Sequence, residues 1–304
     1  MRSMPGAVPA SVPELAPELV LDARAELGEG PVWDASAKEL LWVDITGRQI
    51  HRYCPEMGED VVVETPSDVG AVAQRRDGGL VLALADGFWL LEPAAAVPRR
   101  HRPVEAGRAD TRFNDGKIDP AGRFWAGTMA YDCRPGAGAL YRLHPDGRVE
   151  TMLREVTISN GMAWSADGGT FYYIDTPTRR IDAFDHDPDT GAIGRRRTVV
   201  RLPEDLPGSP DGMTIDAEGA LWVALWDGWA VHRYLPDGRL AAVVRMPVAR
   251  PTSCAFGGAD LGDLYITSAR VGLSETELAS QPGAGGLFRV RPGVAGRPST
   301  PFAG

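Results

Sequence analysis

The chain has 304 residues and 32.6 kDa, with 41 Asp and Glu against 32 Lys and Arg, a net charge of −9 and a pI near 5.1. That acidity excludes a nucleic-acid partner, which calls for a basic face. Nothing in the sequence approaches the roughly 18 continuous apolar residues of a membrane helix, so no membrane partner is expected.

Cys54, Cys133 and Cys254 are odd in number and lack metal-ligand spacing. They fit reduced thiols in a cytoplasmic protein. With 43% hydrophobic residues and no internal shift in composition, one well-buried unit is expected, as a monomer or weak homo-oligomer.

In chain order, residues 1–17 carry several prolines and no long apolar stretch, and read as a disordered leader and not a secretory signal. Residues 18–304 read as a single domain. Glu18 to Ala25 is an apolar segment that precedes the first repeat and belongs to none.

A pattern then recurs: a short motif, an apolar strand, an Asp/Gly turn and a second strand rich in aromatic residues. Gly28-Glu29-Gly30 leads into Pro31-Val32-Trp33 and Leu40-Leu41-Trp42-Val43, and Gly70 into Ala71-Val72-Ala73 and Leu80-Val81-Leu82-Ala83. Asn114 opens Asp115-Gly116-Lys117-Ile118, followed by Phe124-Trp125-Ala126-Gly127. Asn160 leads into Gly161-Met162-Ala163-Trp164 and Phe171-Tyr172-Tyr173, and Asp211 into Gly212-Met213-Thr214-Ile215 and Leu221-Trp222-Val223. Pro251-Thr252-Ser253 opens the last copy, before Cys254-Ala255-Phe256 and Leu264-Tyr265-Ile266.

Six copies spaced roughly 40 to 50 residues apart suit four-stranded blades, and predict an all-β fold, a six-bladed β-propeller with little helix. Asp-Gly turns such as Asp146-Gly147 and Asp237-Gly238 close the further hairpins. Glu18 to Ala25 is expected to complete the last blade beside Gly286–Val290, since ring closure removes an exposed edge.

The first residue of each innermost strand points at one mouth of the channel, so Glu29, Arg112, Asn114, Asn160 and Asp211 are expected to converge. Each alone reads as an ordinary turn residue. Their recurrence at one phase of the repeat argues otherwise. No Gly-x-Ser-x-Gly elbow supplies a serine nucleophile. The five histidines, His51, His101, His144, His186 and His232, fall away from the mouth, leaving no His-based general base or zinc site. Asp185-x-Asp187-x-Asp189 begins like a calcium loop, but Thr190 stands where Gly is required, and it reads as a hairpin turn. Arg195-Arg196-Arg197 reads as a solvated turn.

What remains is an oxygen set: the Glu29 and Asp211 carboxylates and the Asn160 amide oxygen, with Asn114 nearby. Hard divalent cations prefer such ligands, and three protein oxygens leave positions for water and substrate. Ca, Zn, Mg and Mn all suit it.

Leu27–Trp33, Arg112–Lys117, Phe124–Met129, Ser159–Met162 and Pro210–Met213 together resemble the regucalcin and gluconolactonase family, over about Leu19 to Pro292. The resemblance implies a six-bladed propeller that hydrolyses a sugar lactone to its aldonate with one divalent metal cation. It implies Glu29, Asn160 and Asp211 as metal ligands, and Arg112, Asn114 and Asp132 as substrate contacts. Animal regucalcins carry Glu where this chain has Asp132, and the shorter side chain points to a different sugar contact. By the same resemblance Asp211 is the general base; on residue type alone Glu29 is an equal candidate. Two other classes share the pattern, a metal-dependent esterase or phosphotriesterase and a non-catalytic protein-binding propeller. Trp226 and Trp229 could serve either a protein-binding patch or a sugar-binding rim.

Overall fold

The computed structural model describes residues 12–304. Its strands form six small sheets, each antiparallel within its blade, arranged as a six-bladed β-propeller. The innermost strands are Gly28–Asp34, Val69–Gln74, Thr111–Ile118, Ser159–Trp164, Ser209–Ile215 and Pro251–Gly257. Each touches the next, and the last touches the first, so the ring closes around one axis. Helix is confined to Glu275–Ser280 and a single 3-10 turn at Thr176–Thr178 among the described residues. None of it is long and apolar enough to cross a membrane.

The apolar residues fall into six clusters, and every cluster lies between two consecutive blades. Trp42, Trp125, Trp222, Tyr173 and Tyr265, all from second strands, are fully buried in them. A blade therefore cannot bury its own faces, and stability belongs to the ring. Two of the Asp/Gly turns are tied to this packing. Asp119 accepts the Trp125 indole N–H at 2.8 Å and Asp216 that of Trp222 at 3.0 Å, while both cap their own turns.

The N-terminal closure is as expected: Glu18–Leu21 pairs antiparallel with Leu287–Val290 as the outer strand of blade six. The leader expected over 1–17 differs at its end, while residues 1–11 lie outside the described residues. Glu14–Leu15 form a short strand parallel to Leu240–Arg245, and Leu15 packs against the cluster between blades five and six. The outer strand of blade five otherwise presents unpaired backbone groups, and an extended segment passing it pairs whatever its own composition. Arg195–Arg197 also differ, lying on the outer strand Ile193–Arg201 of blade four and not in a turn. Arg196 and Arg197 reach Asp182 and Asp185, each at 2.7 Å.

The C-terminal residues cross the ring at the far ends of the inner strands. Gly296 donates to Leu261 O, Phe302 to Gln74 O and Ala303 to Gly122 O, and Phe302 is buried. Under this tail a cavity of about 140 Å³ occupies the lower channel, lined among others by Asp115, Lys117, Ser253 and Arg297. A wider concavity of about 1140 Å³ is also on this face, beside Trp33 and Arg75 and away from the convergent residues.

Candidate metal centre

Every innermost strand breaks register with its neighbour near its start. The breaks fall between Glu29 and Val32, Val69 and Ala71, Phe113 and Asp115, Asn160 and Met162, Pro210 and Met213, and Pro251 and Ser253. A bulge re-aims side chains that a regular pleat would send alternately to either face. The glycines beside these positions have a steric cause. A Cβ on Gly161 would stand 2.8 Å from the Asp211 carbonyl oxygen, and Gly70 and Gly212 are crowded by Phe113 and Ser253 of the next inner strands. Inner strands converging on an axis leave no room there for a side chain.

Glu29, Arg112, Asn114, Asn160 and Asp211 are all buried, and a chain of contacts runs from Arg112 through Asn114 to the Asn160–Asp211 pair. Arg112 Nη1 donates to Asn114 Oδ1 at 2.7 Å, and Asn114 Nδ2 to the Ser159 carbonyl at 2.9 Å. Asn160 Nδ2 donates to Asp211 Oδ1 and, at 3.1 Å, to Thr176 Oγ1, which is itself bonded to the Pro210 carbonyl. This pins the amide nitrogen. The Asn160 oxygen is left buried with no hydrogen-bond partner among the described residues.

An orphaned carbonyl oxygen beside a buried carboxylate is costly unless something cationic takes it up. The donor set therefore fits a hard divalent cation. Among the described residues no three His, Cys, Asp or Glu side chains form a metal-binding group. The set is two carboxylates and an amide.

Burial is the first cause that pushes the Glu29 carboxyl well above the usual range, followed by the charges of Asp211 and Asp115. Asp211 is likewise pushed well up by burial, against the Asn160 hydrogen bond that lowers it. Asp115 is raised to about 6 by burial, with Lys117 opposing. The Arg112 guanidinium stacks over the Tyr131 ring at 5.9 Å, and the Tyr131 hydroxyl donates to Asp68 at 2.8 Å.

These shifts set a pH dependence. A carboxyl raised in the folded state keeps a proton that the unfolded chain releases, so metal-free stability falls as pH rises from about 4. The fall continues through about 6, where Asp115 titrates, and the raised Glu29 and Asp211 carboxyls add to it in the same direction. Divalent cations must displace those protons, so their affinity should rise over the same window. Carboxylates held low by cationic partners, such as Glu150 at about 2, titrate below it. Melting curves and metal titrations between about pH 5 and 8 check this. A metal-free melting point that climbs with pH there would contradict it.

Asp132 is not brought into the group. It is exposed, and its Oδ1 accepts from Arg134 Nη1 at 2.9 Å. Asp115 and Lys117 are the members that reading the motifs overlooked. In a regular strand Asn114 and Asp115 would face opposite ways, and the bulge between Phe113 and Asp115 is what buries both. Their signal was the polar run Asn114-Asp115-Gly116-Lys117 on an innermost strand, where the other repeats carry mostly apolar residues.

The histidines stay away from the mouth, on third or outer strands and in a turn. Cys254 is buried on its inner strand with its thiol pushed up to about 12 by burial, as befits a small core residue. Asp187 caps the Asp189 and Thr190 amides of a hairpin turn. Trp226 lies partly buried beneath the Arg250 guanidinium at 4.9 Å, while Trp229 is exposed.

A family model described as the SMP-30/Gluconolactonase/LRE-like region matches residues 27–270. Regucalcin of Gallus gallus is 44% identical over 294 residues, covering 94% of this chain and 98% of that protein. The crystal structure of a calcium-binding protein, regucalcin, from Agrobacterium tumefaciens superimposes with a TM-score of 0.91 at 30% identity, over 95% of this chain and 99% of that one. A gluconolactonase of Xanthomonas campestris matches with a TM-score of 0.69 at 25% identity, over 89% and 87% of the two chains.

Proposed function

The chain belongs to the SMP-30/gluconolactonase/LRE-like family, and from that premise we propose that it is a divalent-metal-dependent lactonase that opens a sugar lactone to its aldonate. A lactonase-type hydrolase is the activity the relatives support; the sugar, the metal and the residue roles are this reading's own. One observation carries it above the others. The Asn160 amide is held by its nitrogen against the buried Asp211 carboxylate, leaving a buried oxygen without a partner among the described residues, in a channel that also buries Glu29.

Glu29, Asn160 and Asp211 would hold the cation, which Ca, Mg, Mn or Zn could each supply. When bound, it contributes Lewis-acid polarisation of the lactone carbonyl. The residues do the rest. Arg112 and Asn114 present a guanidinium fork and a carboxamide, already oriented by their mutual bond, to the lactone's hydroxyls and ring oxygens. Tyr131 shields the guanidinium from water on one face. Asp211 takes the proton from the attacking water and returns it to the leaving ring oxygen.

Acid release from glucono-, xylono-, arabinono- and galactonolactone, before and after chelation, tests the reading. Turnover of at least one lactone is expected, lost on chelation and restored by one of the four metals. Preference for simple esters or phosphotriesters, or turnover indifferent to chelation, would sink it.

A further inference from the structure

The mechanism leaves Lys117, a half-buried cation of the channel, without a task. Lys117 lies three residues beyond Asn114 on the inner strand of blade three and reaches to blade five. There its Nζ donates to the Met213 carbonyl at 2.7 Å, two residues past Asp211. Burial lowers its proton affinity; the Asp115 carboxylate, then Cys254 and Glu29, act in the opposite sense. Cys254 supplies no charge, because burial keeps its thiol protonated. The charges facing Lys117 are therefore those of Asp115 and Glu29.

A lysine can reach a carbonyl simply to settle its ammonium group. Three features here exceed that. The ammonium is half-buried beside a small cavity, it is influenced by carboxylates on two different blades, and its carbonyl partner lies two residues past Asp211 of the donor set. When all are ionised, Glu29, Asp115 and Asp211 outnumber Arg112 and Lys117 by one charge. With no metal present, such a cluster is relieved by protonation of its carboxyls or by an internal cation.

We propose that Lys117 is the built-in counter-cation of the metal centre, a positioning residue that holds Asp115 out of the ligand set and moderates affinity for the divalent cation. The proposal rests on Glu29, Asn160 and Asp211 binding metal, as argued above. Fixed to Met213, the ammonium stays in place when metal arrives, so each metal ion binds against one standing positive charge. Its removal has two opposite consequences: the metal-free channel loses a stabilising charge, and the metal-bound channel loses a repulsive one.

The test is calorimetric titration of the chelator-stripped full chain with Ca²⁺ and, separately, Mn²⁺ at pH 8, beside melting curves with and without metal. Lys117→Met is expected to bind metal more tightly by about tenfold or more, the ordinary scale of one buried coupling. Its metal-free melting point should fall, and its metal-induced rise in melting point should grow. Lys117→Arg should stay near wild type. Asp115→Asn should weaken binding, and the double variant Asp115→Asn with Lys117→Met should return toward wild type. Folded Lys117→Met with unchanged or weaker affinity overturns the proposal. If that variant fails to fold, Asp115→Asn decides, and unchanged affinity there overturns it as well. Wild-type protein that takes up neither metal removes the premise and overturns this proposal with it. Metal uptake without lactone turnover would instead sink only the lactonase reading.

Discussion

Asp211→Asn, assayed with divalent metal in excess, is expected to regain part of its metal binding while kcat stays down by about 10²-fold or more, the usual worth of a positioned base. The variant keeps an oxygen for the cation but cannot accept a proton. Its neighbour is already fixed, since Thr176 and Asp211 both hold the Asn160 amide nitrogen. Glu29→Gln separates the roles from the other side, with weakened metal affinity and much of the rate recovered at saturation. The pair distinguishes two carboxylates that are alike in burial and in the direction of their shifts. Near-wild-type turnover of saturated Asp211→Asn would leave Asp211 a ligand only.

Deletion of residues 1–26 is expected to abolish the cooperative melt or lower its midpoint by roughly 10 °C or more. It removes Glu18–Leu21, the outer strand of blade six, together with Val20, Leu21, Ala23 and Ala25 from the cluster between blades six and one. It also opens the ring where its two chain ends meet. Deletion of 1–15 should cost only a few degrees, because it removes the two-residue strand Glu14–Leu15, its Arg245 ion pair at 2.6 Å and the packing of Leu15. Arg245 and Glu14 are both substantially exposed, so the pair itself contributes little. Equal melting points for the two truncations would refute closure by Glu18–Leu21 as the source of ring stability.

Much of the fold was legible because the repeat writes itself locally. Each copy carries its own turn residues, its own alternation and its own aromatic second strand, and none of these depends on a distant partner. The N-terminal closure was readable for a related reason: an apolar segment without a blade, in a ring that must have no free edge, has one place to go. Glu14–Leu15 was not readable, since a Pro-rich segment with two strand residues pairs only because the outer edge of blade five passes beside it. Arg195–Arg197 misled for the opposite reason, as charge suggested a turn where exposure of an outer strand suffices.

The sequence by itself determined the blade count, the order of the elements and the placing of Glu29, Arg112, Asn114, Asn160 and Asp211 at one phase of the repeat. All of these follow from short-range periodicity, which survives in a linear string. The tertiary structure alone decided which way those side chains turn. Six inner strands crowding one axis bulge at the same level, admit only glycine where backbones meet, and thereby bury Asp115 with Asn114. The same crowding brings Lys117 against Met213 across the channel and leaves Asn160 Oδ1 without a partner, while Asp132, just past the end of its strand, stays at the surface with Arg134. The Lys117–Met213 and Asn160–Asp211 contacts join different blades, are set by the closing of the ring, and no single repeat contains them.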